Sequence, residues 1–277
     1  MGQKTRRSAV ADLFRGSLEN RMGCEFVASE IKSIDRCFSV LEYLSTSAKA
    51  LPLKQIASAC DLPVATTHRF LDSLISLGYV AHEIGGYYKL TYKLLEVASR
   101  NVSRSSLISI AKPHLDKLSE RLHESVHLVV RDNTDILYVY KVTQIIGSIQ
   151  MASRIGMRLP MYRTAVGKAI LSTLSDSEIK EIFEESEIIK VTDNTVTTIE
   201  ALMAQIHKTR ITGYAFDDEE NEKGILCIGT TLGRAGDAIN YAFSVSSLKS
   251  RMTPERIEEI SSAIMETKST IEAQLLI

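Results

Sequence analysis

The chain has 277 residues, 44% of them hydrophobic and 24% charged, proportions of a globular protein long enough for two domains. No stretch approaches the roughly 18 apolar residues of a membrane span, and Lys4, Arg6, Arg7 and Arg15 precede no apolar block of the kind a secretory signal needs. The net charge of −1 offers no bulk attraction to nucleic acid, but it divides unevenly: residues 31–100 carry eight basic and six acidic side chains, and residues 101–277 twenty and twenty-four.

Residues 1–29 mix Arg, Ser, Gly and Asn without periodicity and read as a flexible tail, with Met22 as an alternative start and a basic arm along DNA as the functional alternative. Ser33 to Leu44 reads as a first helix capped by Ser33, with Ile34, Cys37, Phe38, Leu41 and Leu44 inward. Leu53 begins a short helix, Cys60-Asp61-Leu62 turns the chain, and Pro63 sits at a first helical position. Val64, Thr67, Phe70, Leu71, Leu74 and Leu77 then recur on one helical face, while Thr66, His68, Arg69, Asp72, Ser73 and Ser76 occupy the other. Gly78 ends this helix, and Tyr79–His82 and Tyr87–Leu90 flank a Gly85-Gly86 turn as a hairpin. Helix, turn, helix and hairpin wing place one helix in a DNA major groove. Thr66, Thr67, His68, Arg69 and Ser73 are the candidate DNA-binding residues. The same topology also serves protein–protein contacts, but a core-facing helix would not present Thr, His and Arg together.

Residues 91–107 carry a helical pattern (Leu94, Leu95, Ala98, Val102) expected to link this domain, residues 30–90, to a second one over residues 108–277. That domain opens with a helix from about Ser109 to Leu122. Strands follow over Ser125–Arg131 and Ile136–Val142, around the turn Asp132-Asn133-Thr134-Asp135, and a third over Ser148–Ser153. Arg154–Arg163 reads as a loop; Ala165–Leu174, Asp176–Phe183 and Ile199–Ile211 read as helices. Ile225–Thr231 and Ala238–Ser246 form a last hairpin, and Thr253-Pro254 caps and starts a final helix. The class expected is α+β, with helices gathered around antiparallel strands.

No catalytic or metal reading survives its own requirements. The acidic run Asp217-Asp218-Glu219-Glu220 lacks the alternation of a calcium loop. Cys227 lies in an apolar strand pattern rather than beside a base, and His123 and His127 straddle a helix-to-strand change, unlike a zinc pair. Gly167-Lys168-Ala169 misses a phosphate loop twice, with Tyr162 where a Gly and Ala169 where a Ser or Thr are needed. The chain is therefore read as no enzyme, with no cofactor and no metal. Cys24, Cys37, Cys60 and Cys227 show no paired spacing and fit reduced thiols of a cytoplasmic protein.

Four segments carry a resemblance. LPVATTHRFLDSLISLGYV and YYKLTYKLLEVA resemble the winged helix-turn-helix of the IclR family of bacterial transcription regulators, and MASRIGMRLPMYRTAVGKAIL and GYAFDDEENEKGILCIG resemble its effector-binding domain, over about Ile31 to Gln274. The resemblance implies a GAF-like second domain and a homodimer on a roughly palindromic double-stranded operator, with a tetramer left open. It also implies a small organic-acid effector, in a branch that senses sugar acids. Carried over, the effector-binding residues are Met151, Arg154, Ala165, Val166, Asp217, Ile225, Cys227, Ser244 and Ser246. Independently, Ser244 and Ser246 alternate onto one strand face, as do Ile225 and Cys227. Two departures stand out. Val64-Ala65 occupies the place of a common Lys-Ser, and Ile228-Gly229-Thr230-Thr231 that of Ala-Ala/Val-Pro. The alternative is a ligand-independent DNA-binding or dimerisation protein whose sensor core is filled.

Overall fold

The computed structural model describes residues 31–102, 106–143, 151–233 and 238–275. They form two compact units, divided between Asn101 and Val102. Residues 1–30 lie outside the described residues, as do 144–150 and 234–237, so the readings of the tail, of Ser148–Gln150 and of the last hairpin turn fall there.

The first unit contains α1 (Lys32–Ser45), β1 (Leu51–Pro52), α2 (Leu53–Ala59), α3 (Val64–Ser76), β2 (Val80–Glu83), β3 (Tyr87–Leu90) and α4 (Lys93–Val102). Its three strands pair antiparallel in the order β1-β3-β2. Val40, Leu41, Leu44, Ile56, Leu71, Leu74, Val80 and Tyr88 fill one core. The expected cap at Ser33 is absent: α1 starts one residue earlier, and Ile31 at its N-cap position gives no side-chain hydrogen bond. Only the C-terminal half of α1 is buried, so Ile34 and Phe38, expected inward, are exposed. Val64, the first residue of α3, and Leu77, just past its last, are exposed too. Pro63 is the N-cap of α3, with an extended ψ of 138°, rather than its first helical residue. At the other end Gly78, with φ of 83°, lets the Tyr79 N–H reach the Leu74 carbonyl and the Gly78 N–H reach that of Ile75. This left-handed closure satisfies carbonyls that the helix would leave bare.

The second unit is a six-stranded sheet in the order β6-β5-β4-β9-β8-β7, its pairs all antiparallel. The strands are β4 (Ser125–Asp132), β5 (Asp135–Val142), β6 (Arg158–Pro160), β7 (Ala215–Asp218), β8 (Ile225–Leu232) and β9 (Tyr241–Leu248). The helices are α5 (Ser106–Leu122), α6 (Ala165–Leu171), α7 (Asp176–Glu185), α8 (Ile199–Thr212) and α9 (Pro254–Leu275). One core joins α5 and α9 to Val126, Leu128, Leu226, Ile228, Phe243 and Val245. The other joins α6, α7 and α8 to Val129, Ile136, Tyr138 and Ala242 on the opposite face. The expected α+β class is thus observed, with two corrections. Met151–Ser153 is not a strand; the third strand is Arg158–Pro160, created by pairing with Asp135–Leu137 rather than by local pattern. Asp217, expected in a loop, lies on β7, which pairs with β8.

One irregularity decides what the second face carries. In the β4–β5 ladder Leu128 faces Tyr140 but Val129 faces Tyr138, so Val139 is an extra residue on β5. Side-chain direction alternates strictly along a strand, so one inserted residue exchanges the faces of everything beyond it. Ile136 and Tyr138 point to the α6 side; after the bulge Lys141, not Tyr140, does so, directly opposite His127.

Candidate functional site

Helix α3 presents the first site. Arg69 is exposed and forms no ion pair among the described residues, whereas His68 Nδ1 lies 2.8 Å from the Asp72 carboxylate one turn on. Thr66 is half-buried. Ser73 is exposed, but its hydroxyl donates back to the Arg69 carbonyl at 2.9 Å, which leaves it as an acceptor. Thr67 must be removed from the expected set: it is fully buried and its hydroxyl donates to the Pro63 carbonyl. It faces the core because it sits four residues before Leu71. Beyond α3 the hairpin projects Ile84 into solvent at a turn where Gly85 and Gly86 both take positive φ.

The second site is the α6 side of the large sheet. Ser246 pairs across the ladder with Cys227, and Cys227 with Asp217, so these three side chains form a row over β9, β8 and β7. One step along the strands, Lys141, His127, Ser244 and Gly229 form a parallel row. Cys227 is the one partly exposed residue of β8. The first two residues of α6 come down on Gly229, where a Cβ would lie 2.9 Å from the Val166 nitrogen and 3.0 Å from the Ala165 carbonyl carbon. The sequence TAVGKA makes this approach possible. Thr164 caps α6 by accepting from the Gly167 N–H at 3.1 Å. Gly167 has no room for a side chain, since a Cβ would sit 2.3 Å from the Met161 carbonyl oxygen. The N–H groups of Ala165 and Val166 belong to the first turn, where a helix offers no internal acceptor.

A chain of hydrogen bonds crosses this face. Lys141 Nζ donates to Ser153 Oγ at 3.0 Å and to the Ser153 carbonyl at 2.6 Å. Ser153 Oγ is 2.9 Å from His127 Nε2, His127 Nδ1 is 3.4 Å from Ser246 Oγ, and Ser246 donates to Cys227 Sγ at 3.0 Å. One arrangement of protons satisfies every link. Ser246 spends its single proton on Cys227, so it accepts from His127 Nδ1–H; Nε2 is then the acceptor for the Ser153 hydroxyl. Burial above all, with the Lys141 charge beside it, lowers His127 to about 3, so the ring is neutral as this arrangement requires. Tyr138 packs edge-on against it, with ring centroids 5.4 Å apart.

Asp217 sits at the far end of its row. Its Oδ1 accepts from the N–H groups of Glu220 and Asn221 at 2.8 and 3.2 Å, tying β7 to the acidic turn. Burial raises it to about 7, the charge of Glu220 adding to the effect and that of Lys168 opposing it. Lys168 is fully buried; its Nζ donates to Glu220 Oε1 at 2.6 Å and to Gln205 Oε1 at 2.5 Å, which pins α6 to α8 and to the acidic turn. Burial also raises the Cys227 thiol, so the sulfur is no nucleophile. Of the nine expected effector residues, Asp217, Cys227 and Ser246 fall in one row, Ser244 in the next, and Ala165 and Val166 above Gly229 beside it. Ile225 is buried two residues from Cys227, Met151 is half-buried, and Arg154 is exposed. Lys141, His127 and Ser153 escaped the sequence reading. Regular alternation from Ile136 puts Lys141 on the other face, and His127 drew notice only as an unfit zinc ligand.

Residues 33–83 match the family model of the IclR helix-turn-helix domain, and residues 99–273 that of the bacterial transcriptional regulator IclR C-terminal domain. The chain is 31% identical over 246 residues to the HTH-type transcriptional regulator KdgR of Escherichia coli, spanning 88% of this chain and 93% of that one. It is 30% identical over 264 residues to the DNA-binding transcriptional repressor YiaJ of the same organism, 94% of each. The crystal structure of the Thermotoga maritima IclR superposes with a TM-score of 0.77 at 31% identity, covering 89% of this chain and 99% of that one. These relatives regulate transcription and are not enzymes. With an exposed Arg69 on a helix-turn-helix in one unit and a polar sheet face in the other, the chain belongs to the IclR family of bacterial transcription regulators.

Proposed function

We propose that the chain is a cytoplasmic repressor that binds its operator as a homodimer and is controlled by a small organic acid, of sugar-acid or related carbon catabolism, bound over the α6 side of the large sheet. The observation that carries this reading is the descent of the α6 start onto Gly229, in the row beside Asp217, Cys227 and Ser246. Donor N–H groups of Ala165 and Val166 and the hydroxyl of Ser244 suit a carboxylate. Asp217, held near 7, can accept from or donate to an effector hydroxyl. Coupling of about 1–3 kcal/mol between the sites is enough to change operator occupancy some 5–150-fold. Arg69, with His68 and Thr66, reads base edges, and the segment of residues 91–107 links the two domains.

Fluorescence anisotropy on the DNA upstream of the protein's own gene, at two salt concentrations and with a panel of sugar acids and 2-oxo acids, tests the proposal. Binding should weaken with salt as counterions are released, and one class of acid should shift it. Binding that ignores every acid would leave the regulator without the effector assigned to it. Ser246→Ala should blunt the acid response while leaving operator affinity unchanged; an undiminished response refutes the placement of the effector.

A further inference from the structure

We propose that Lys141, turned onto the effector face by the β5 bulge and joined through Ser153 and His127 to Ser246 and Cys227, holds a second carboxylate, so that the effector is a dicarboxylic acid. The inference rests on the preceding placement of the effector and adds the chemistry of its far end.

Four observations point this way. First, Lys141 is an ammonium without a counter-ion: it forms no ion pair within 4.0 Å among the described residues. The Glu222 carboxylate influences it only at longer range, and desolvation of its half-buried position works against its charge. A cation so placed is stabilised by an anion that arrives with the ligand. Second, two of its three N–H donors go to Ser153, and among the described residues the third has no acceptor. Third, every proton in the relay points away from Lys141, so oxygen lone pairs face the ammonium and help to keep it charged. A charged lysine with a free donor favours an anion over Lys141. Fourth, a β-bulge is the backbone device that re-aims a side chain, and here it delivers a positive charge to a face that otherwise carries hydroxyls, a thiol, a neutral imidazole and the Asp217 carboxyl.

The spacing suits a short diacid. From Lys141 on β5 through His127 and Ser244 to Gly229 on β8 is three strand steps, about 14 Å of sheet at about 4.8 Å each. The lysine stem leans over part of this distance to reach Ser153, and the remainder separates the two ends of one ligand.

Matched pairs differing at one terminal carbon provide the test: glucarate against gluconate, and adipate against hexanoate, titrated calorimetrically into the full chain. The expected result is at least about tenfold tighter binding of the diacid in one pair, the scale of one charge-assisted hydrogen bond. Lys141→Met should abolish that preference and leave the monoacid affinity within about threefold. Lys141→Gln, which keeps a donor toward Ser153 without the charge, guards against a merely structural loss: if Lys141 only anchors Ser153, it restores the preference. A preference that survives in Lys141→Met, returns in Lys141→Gln, or is absent from the native chain while monoacids bind in a Ser246-dependent manner overturns this inference and leaves the effector placement standing. Binding of neither member of either pair overturns both.

Discussion

Arg69 and Lys168 are two basic residues with opposite fates, set by what surrounds them. Arg69 projects into solvent from α3, and bidentate contact with guanine is worth about 1–3 kcal/mol. Arg69→Ala should weaken operator binding about 10- to 100-fold in a gel-shift titration, with an unchanged circular dichroism spectrum. Lys168 is buried against Glu220, whose second oxygen, Oε2, has no hydrogen-bond partner among the described residues. Lys168→Met leaves that buried carboxylate without its cation, held among the described residues only by the Gln205 amide at 3.3 Å, and denaturant unfolding should show a loss of about 3–5 kcal/mol. A loss below about 1 kcal/mol would mean that water or relaxation compensates the charge. Asp217 and His127 oppose each other in pH. Asp217 rises from 3.8 to about 7 on folding, so the folded state holds a proton that the unfolded state loses, and its contribution to stability falls as pH rises through that window. His127 drops from 6.5 to about 3, so its contribution is present above 6.5 and is lost on acidification toward 3. Each slope is about 1.4 kcal/mol per pH unit, and the two cancel where they overlap. Asp217→Asn should therefore make stability fall more steeply than in the native chain between about pH 6 and 4; parallel pH profiles would contradict this.

Among the elements, α6 depends most on single atoms. Its Thr164 cap, the hydrogen at Gly167 and the buried Lys168 are three consecutive requirements of one short helix pressed on a sheet. Gly167→Ala places a methyl 2.3 Å from the Met161 carbonyl oxygen. It should cost about 1–3 kcal/mol by thermal or denaturant unfolding, although alanine favours an isolated helix. Equal stability would show that the Met161 turn yields. Much of this scale was legible in the sequence. Periodicity finds α3 through Thr67, Leu71 and Leu74, and Gly78 closes it. Thr253-Pro254 starts α9, where the Arg256 N–H donates to Thr253 at 3.3 Å. What failed were elements created by their partners. β6 is the sequence Arg-Leu-Pro, unremarkable alone, and β7 hides within an acidic run that reads as a loop.

At the scale of the molecule, regulation requires an acid bound in one unit to alter DNA binding by the other. Any ligand that binds the folded state alone stabilises it, by about 2.7 kcal/mol at a hundredfold excess over Kd. The acid that shifts anisotropy should therefore also raise the melting temperature of the full chain, and Ser246→Ala should remove both effects together. A thermal shift without a change in DNA affinity would separate binding from regulation. Among the described residues no helix is long and apolar enough to cross a membrane.

The sequence by itself determined the class, the order of most elements and the family. Each of these is written in local periodicity, caps and turns, or in short motifs whose spacing survives without coordinates. It also placed Ser244 with Ser246 and Ile225 with Cys227, because alternation within one regular strand is a local rule. Only the tertiary structure decided which strands lie side by side, and so that Asp217, Cys227 and Ser246 form one row. It alone revealed that one extra residue at Val139 exchanges the faces of β5. The physical reason is that strand register and bulges are settled by hydrogen bonds between segments far apart in the chain. A single inserted residue leaves no mark in local composition, yet it sends Lys141 to the side where His127 and Ser153 lie.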